Sequence, residues 1–329
     1  MEVSVTALIP VWNGRELLMK LLDTLDRQTA PVDEILIVDN GSNDGAPEAA
    51  EQRGARVIRL GRNFGFAHAV NRGVGESQNE FIAILNTDVE LEPGWLAALL
   101  AADAPFACGT MLSATNPHIV DGSFDLLSRG GCPWRAGHGA TATPTSCAID
   151  MASFTAVVFR RELFLKIGLL DERFESYLED VDFGLRCMAN GIGGRYVAGA
   201  VCRHRGSAAL GRWNAASVRR ISRNQLFLVA KHYPRSLARG WWRAILVGQA
   251  LWGVLAVRHG AGFAWFQGKL QGLRDFRSLP STPNPALETA LRQHEEIIYN
   301  LQKKQGMDWY WRVYFALAGD KRHRQPNAR

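Results

Sequence analysis

Glu179, Asp180 and Asp182 place three carboxylates within four residues, in the run Glu175-Ser176-Tyr177-Leu178-Glu179-Asp180-Val181-Asp182-Phe183. Charges this close repel unless a helix N-terminus, a metal ion or a cation offsets them. A helix that starts here supplies part of the offset, because its dipole favours negative charge in the first turn. The plainer reading is the acidic first turn of an ordinary helix. Asn86-Thr87-Asp88-Val89-Glu90 follows an apolar run directly. A carboxylate in that place suits Mg2+ or Mn2+, which take one or two carboxylates and fill other positions with phosphate oxygens. Helix capping is the competing role, but the next helix signal opens at Glu92-Pro93-Gly94-Trp95, so Asp88 comes too early to cap it. In Cys202-Arg203-His204-Arg205-Gly206 a histidine stands just past a strand signal. A lone histidine is more often structural than a ligand, and the flanking arginines suit either the acidic cluster or a phosphate.

Two polar turns complete the set. Pro10-Val11-Trp12-Asn13-Gly14 and Asp39-Asn40-Gly41-Ser42-Asn43-Asp44-Gly45 each follow a strand signal. An aspartate can accept the imide N–H of a uracil or thymine ring while a neighbouring aromatic covers the base, so the two turns together suit a nucleotide. Asn, Asp and Gly are also turn residues by their own chemistry, and a plain turn is the alternative.

The elements that must position these residues are legible as a β-α-β rhythm. Residues 3–9, 34–38, 56–60 and 81–85 are expected strands, and residues 16–28 and 67–77 expected helices. The rhythm implies an α/β fold with a mostly parallel sheet flanked by helices, whose ligands gather at the carboxyl ends of the strands. Residues 104–149 are rich in Gly, Pro, Ser and Thr and read as loops around one or two strands. A strand at 151–159, helices at 161–167 and 180–190, and a strand at 195–202 follow.

The composition bounds the remainder. The chain has 329 residues, 47% apolar and 21% charged, which excludes disordered, collagen-like and polytopic membrane classes. Five scattered cysteines without CxxC spacing imply a reducing compartment and inert core thiols. The opening Met1-Glu2-Val3-Ser4-Val5 lacks the pattern of a secretory signal, so a cytoplasmic location is expected.

The succession PVWNG, VDNGSNDG, GRNFGFAHAVNRG, LNTDVEL, FESYLEDVDFGLR and HRGS, in this order over residues 4–207, resembles family 2 glycosyltransferases, particularly bacterial rhamnosyltransferase-like members. The resemblance implies a GT-A fold and an inverting, metal-dependent transfer of a sugar from a nucleoside diphosphate. By that resemblance Asp39 binds the pyrimidine, Pro10, Trp12 and Asn13 shape the base pocket, and Asn71 joins them from a nearby helix. Asp88 binds Mg2+ or Mn2+ at the diphosphate, and His204 joins it. Glu179-Asp180 becomes the acceptor-side acidic pair, with Asp180 the general base and Glu179 positioning the acceptor. The donor implied is dTDP-rhamnose or a UDP-sugar. One departure stands out: the family's Asp-x-Asp is Asn86-Thr87-Asp88 here, with an amide at the first position.

Residues 1–216 are thus expected to be the catalytic, nucleotide-sugar-binding domain. Residues 217–329 are expected to form a helical, basic, Trp-rich region that ends in a frayed basic tail at 321–329. Residues 1–218 hold 19 Lys/Arg against 26 Asp/Glu, whereas residues 219–329 hold 19 against 6, and six of the ten tryptophans lie after residue 240. Such a region suits an anionic membrane surface, with tryptophans at headgroup depth, and the acceptor would then be a lipid-linked oligosaccharide. The protein would work peripherally at the inner face of the cell membrane. Residues 241–257 are too short to favour a bilayer span, and a hairpin packed on the catalytic domain or on a second subunit is the alternative. No nucleic-acid module is recognisable, so no nucleic-acid partner is expected. A sugar-nucleotide pyrophosphorylase would need a Gly-rich basic loop after the first strand, which PVWNG is not. A non-catalytic membrane-associated assembly factor with a decayed transferase domain is the alternative that Asn86 keeps open.

Overall fold

The computed structural model describes residues 3–206 and 213–318, so the expected basic tail and Ser207 of the HRGS run lie outside the described residues. The chain divides into two compact units, Met1–Asp125 with Gly137–Arg212, and Leu126–Ala136 with Trp213–Arg329.

In the first unit, β1 (Val5–Val11), β2 (Glu34–Asp39), β3 (Arg56–Arg59) and β4 (Phe81–Leu85) run parallel in the order β3-β2-β1-β4. β1 and β4 are apolar along nearly their whole length, as strands covered on both faces must be. α1 (Arg15–Leu25) covers one face: Leu18, Leu21, Leu22 and Leu25 recur every three or four residues and pack with Val5, Ala7 and Ile9. It is shorter than the expected 16–28. After α2 (Ala46–Gln52), α3 (Phe66–Glu76) covers the opposite face. A Cβ on Gly73 would lie 2.1 Å from Leu8 Cδ1, so glycine is what lets α3 approach β1.

β5 (Val89–Leu91) and α4 (Trp95–Leu100) lead into β6 (Phe106–Ser113), with β7 (Val120–Gly122) beside it. β8 (Asp125–Leu127) and β9 (Pro133–Arg135) pair separately. β10 (Cys147–Ile149), β11 (Ala156–Arg160), α5 (Glu162–Ile167), α6 (Glu179–Ala189) and β12 (Gly194–His204) complete a ten-stranded sheet, eight strands in the order β10-β12-β6-β11-β4-β1-β2-β3 with β5 paired to β12 and β7 to β6 off that path. β11 runs antiparallel between β4 and β6, while β6 and β12 are parallel. The fold is a mostly parallel α/β sheet flanked by helices, with a helical C-terminal region.

Two segments differ from expectation. Residues 104–149 contain five strands instead of one or two. β6 is hidden in the sequence because its partners, Val157 on β11 and Tyr196 on β12, lie far along the chain. Of the expected strand at 151–159, Met151–Thr155 is buried without joining the ladder, which begins at Ala156.

In the second unit, Asn214 caps α7 (Ala215–His232), its Oδ1 accepting the Ser217 N–H at 2.9 Å. α8 (Arg235–Gly240), α9 (Trp242–Arg258), α10 (Gly262–Asp275), α11 (Leu287–Lys304) and α12 (Trp309–Ala318) follow. Arg129 Nε meets Glu295 Oε2 at 2.8 Å, both buried, and Tyr314 donates to Glu295 Oε1 at 2.6 Å. Residues of the 126–136 excursion are thereby tied to α11 and α12. No helix among the described residues is long and apolar enough to cross a membrane.

β12 is irregular between Val197 and Val201, where Ala200 passes over Gly109 of β6. A Cβ on Gly109 would stand 1.9 Å from the Ala200 carbonyl oxygen, which is backbone and cannot rotate away. Gly109→Ala is expected to cost about 3 kcal/mol or more, as overpacking does. Thermal unfolding checks it: an unchanged Tm would mean that the β6–β12 seam is looser than this.

Candidate active site

β1, β2 and β4 are parallel, so their carboxyl ends deliver Trp12, Asp39 and Asn86-Thr87-Asp88 to one edge of the sheet. The turns there are tied by reciprocal hydrogen bonds. Asp39 is buried, and its Oδ1 accepts the Ser42 N–H at 2.9 Å. Ser42 Oγ accepts the Asn13 N–H at 2.8 Å, and Asn13 Oδ1 accepts the Asn43 N–H at 3.0 Å. Asn13 has φ 61, a left-handed conformation that asparagine tolerates better than most residues. Pro10 stands in register with Val38 inside β1, while Trp12 is exposed at the strand end. Exposed indole beside a buried carboxylate at a strand end can cover a flat ring while the carboxylate takes its N–H.

A second set of bonds joins this edge to the acidic segment. Asn40 Nδ2 donates to Gly65 O at 3.1 Å, and a Cβ on Gly65, whose φ is +96°, would lie 2.7 Å from Glu175 O. Ala67 N–H reaches Glu175 O at 2.9 Å, and Phe66 N–H reaches Ser176 Oγ at 3.0 Å. Asn71, buried on α3, donates to Leu170 O and Glu172 Oε1, each at 2.9 Å, and accepts the Leu170 N–H at 2.8 Å. Its amide therefore bridges α3 to the segment before α6. That segment is strained: Glu175, Tyr177 and Leu178 all have positive φ, at 60°, 72° and 68°. Each such residue costs on the order of 1–3 kcal/mol and persists only where the surroundings enforce it.

The three carboxylates that α6 presents differ in environment. Asp182 is fully buried and pairs with Arg186 Nε at 3.0 Å. Glu179 is also buried, and its Oε2 has no hydrogen-bond partner among the described residues. Burial first, and then the charges of Asp180 and Asp182, push its carboxyl well above the usual range. Asp180 is half-buried at the helix N-terminus, so of the three it is the one in contact with solvent. Asp180 is thus the open carboxylate of the three, while burial disfavours the charged form of Glu179 beside it.

β5 pairs with β12, setting Val89 opposite His204. This register brings Asp88 Oδ2 within 3.3 Å of His204 Nε2. His204 Nδ1 meets Asp121 Oδ2 at 2.7 Å, a partner that sequence reasoning missed because it falls within residues 104–149, where the periodicity is too weak to place elements. Burial pushes the imidazole down, but hydrogen bonds to Asp121 and Asp88 and their charges outweigh it and lift it to about 9. Arg203 pairs with Glu92 at 2.9 Å, outside the acidic cluster at the start of α6. Among the described residues no group of three or more His, Cys, Asp or Glu side chains converges to hold a metal. Asp88 and His204 nonetheless fit a hard divalent cation that draws its other ligands from substrate, since the second ring nitrogen is fixed by a carboxylate as in most metal-bound histidines. The cysteines are free, and four of the five are buried.

Residues 6–167 match the family model described as Glycosyl transferase family 2. The chain is 30% identical to the N-acetylglucosaminyl-diphospho-decaprenol L-rhamnosyltransferase of Mycobacterium tuberculosis, over 73% of this chain and 87% of that protein. It is also 30% identical to the O-antigen biosynthesis protein RfbC of Myxococcus xanthus, over 57% of this chain and 16% of that one. Among solved structures, GalNAc-T7 with UDP, GalNAc and Mn2+ superposes with TM-score 0.59 at 16% identity, over 92% of this chain and 57% of that chain. The mannosyltransferase PcManGT of Pyrobaculum calidifontis, in complex with GDP-Man and Mn2+, gives 0.51 at 17%, over 95% and 86%. At these identities the structural likeness shows the fold alone.

The environment of Glu179 fixes a sign for its effect on stability. Its carboxyl is raised in the folded chain from the ordinary 4.5, so above that pH the unfolded chain releases a proton that the folded chain retains. Glu179 therefore weakens the fold as pH climbs through 4.5 and beyond. Glu179→Gln, which cannot ionise, is expected to raise Tm at pH 7–8, with the gain vanishing below pH 4.5. A Tm difference independent of pH would place the Glu179 carboxyl in the ordinary range.

Proposed function

Given that the chain belongs to glycosyl transferase family 2, we propose that it transfers L-rhamnose from dTDP-rhamnose, with inversion, to a hydroxyl of a lipid-linked glycan acceptor. That it is a glycosyltransferase follows from the family and from relatives of that activity. The observation that carries the finer reading is the sorting of the acidic cluster, which leaves Asp180 as the solvent-facing carboxylate at the start of α6. The relative from Mycobacterium tuberculosis supports rhamnose and a polyprenyl-diphosphate-linked acceptor.

In this reading Trp12 covers the thymine and Asp39 accepts its imide N–H, while Pro10 and Asn13 shape the pocket floor. Asn71 holds α3 against Leu170 and Glu172, and so sets the distance between donor and acceptor sides. The acceptor hydroxyl oxygen forms a bond to the anomeric carbon as the bond from that carbon to the diphosphate oxygen breaks. Its proton passes to Asp180, and the electron pair leaves with dTDP. Glu179, whose charged form burial disfavours, orients the acceptor beside Asp180. Asp88 and His204 would hold Mg2+ or Mn2+, which supplies positive charge to the leaving diphosphate. Asp121 fixes the imidazole that completes the pair. The protein acts in cell-surface polysaccharide synthesis, at the inner face of the cell membrane.

Asp180→Asn is expected to lower kcat by about 10²–10⁴-fold while dTDP-rhamnose binding, read by calorimetry, is kept. Full activity in that variant would remove Asp180 from the chemistry. EDTA should stop turnover and Mn2+ restore it. Asp121→Asn should weaken Mn2+ binding by about 10–100-fold, as loss of a carboxylate behind a ligating histidine does. Nucleotide release from no donor in a panel, with or without a lipid acceptor, would leave the non-catalytic assembly role that Asn86 keeps open.

A further inference from the structure

α9 and α10 are inside-out. Toward the rest of their unit α9 turns Ala244, Gly248, Gln249 and Gly253, and α10 turns Ala264, Gly268, Lys269 and Gly272. Toward solvent α9 turns Trp242, Leu246, Val254 and Val257, spaced so that they share one face. α10 does the same with Phe263, Phe266, Leu270 and Leu273, and the eight side chains are between 47% and 74% exposed. The small inward residues permit close packing: a Cβ on Gly253 would lie 2.7 Å from the Trp265 ring, and one on Gly268 would lie 2.2 Å from Arg219 O. Lys269 is buried, and its ammonium reaches Ser222 O and Gln225 Oε1 at 2.8 Å and also Gln249 Oε1, so it points away from the apolar face. Helix faces this apolar and this exposed mark a binding surface.

Charge decides what covers it. The sequence has no Asp or Glu between Asp182 and Asp275, and that stretch carries 13 arginines and 2 lysines. Arg243 and Arg258 stand exposed near the two ends of the α9 face, with Arg239 before it and Arg274 at the end of α10. A second copy of this surface would set two cationic rims against each other. An anionic bilayer instead offers acyl chains to the Phe, Leu and Val side chains and headgroup phosphates to the arginines, with Trp242 at the boundary between them. The helices are too short and too flanked by charge to span, so they would lie in the plane of the interface.

We propose that the exposed face of α9 and α10 is a docking surface for anionic lipid bilayer, one that holds whether or not the transferase reading does. The test uses the full chain and no turnover: co-sedimentation with phosphatidylcholine vesicles, with and without phosphatidylglycerol, at low and high salt. The protein is expected to partition onto the anionic vesicles and to be released as salt rises. Phe263→Glu with Phe266→Glu should cut partitioning by about tenfold or more. The same change at Leu165, equally exposed on α5 in the other unit, should leave it unaltered. Circular dichroism confirms that each variant is folded, and dTDP-rhamnose binding, measured separately, reports on the transferase reading alone. Absence of anionic-vesicle binding, or binding that the paired Phe changes leave intact, overturns the proposal. It is equally overturned if those changes convert an oligomer to monomer in sedimentation velocity without altering vesicle binding.

Discussion

Two hydrogen bonds at the edge of the sheet, Ala67 N–H to Glu175 O and Phe66 N–H to Ser176 Oγ, constrain everything that the site can do. They press the start of α3 against the strained turn before α6, with Gly65 as the point of contact because any side chain there would meet the Glu175 carbonyl. Three left-handed residues between 175 and 178 are the local consequence. Isolated, that backbone would relax. Held by the start of α3 and, one turn further along the same helix, by the buried Asn71 amide, it delivers Glu179 and Asp180 to the sheet edge where the β1 and β2 turns already sit. The strain lies on the packing link of the chain, and what it secures is the relative placement of two turns that no local sequence preference would bring together.

The acidic character of that edge follows the same logic. A cluster of like charges is tolerable only if each member meets a different fate. Asp182 takes Arg186, burial pushes the Glu179 carboxyl toward its neutral form, and Asp180 keeps its access to solvent. Asp39 spends its oxygen on the Ser42 amide and so helps shape the turn from which it would read a base. Electrostatics here assigns roles that residue type alone leaves equivalent.

Legibility in the sequence tracked how local each determinant is. β1, β2 and β4 are continuous apolar runs, and α1 repeats leucine every three or four residues, so both follow from near neighbours. The mostly parallel fold class follows from them in turn. β6 was opaque: Gly109 and Thr110 interrupt its apolar pattern, and its place between β11 and β12 depends on partners far along the chain. The excursion 126–136 is short and polar-flanked, and only the burial of Arg129 against Glu295 and Tyr314 assigns it to the helical unit. Asp121 illustrates the same limit within the site. Nothing in an Asp-Gly dipeptide announces that its carboxylate will orient His204.

Asp121 also bears on the amide at position 86. A divalent ion at a diphosphate is commonly set by two nearby carboxylates, and Asn86 removes one of them while its N–H remains bound to Thr155 O as a structural link. The charge is not simply lost. It reappears one step back, because Asp121 holds His204 by its far nitrogen and directs Nε2 toward Asp88. To ligate, His204 would give up the Nε2 proton that Asp88 helps it hold; the neutral ring is a softer ligand than carboxylate, and the carboxylate behind it raises its basicity and fixes its tautomer. A site built this way has one direct negative charge and one relayed. It would bind its ion more weakly in the free protein than a two-carboxylate site, and would lean on the donor diphosphate to complete the shell. In the proposed reading, the departure at Asn86 would couple metal binding to donor binding without abolishing either.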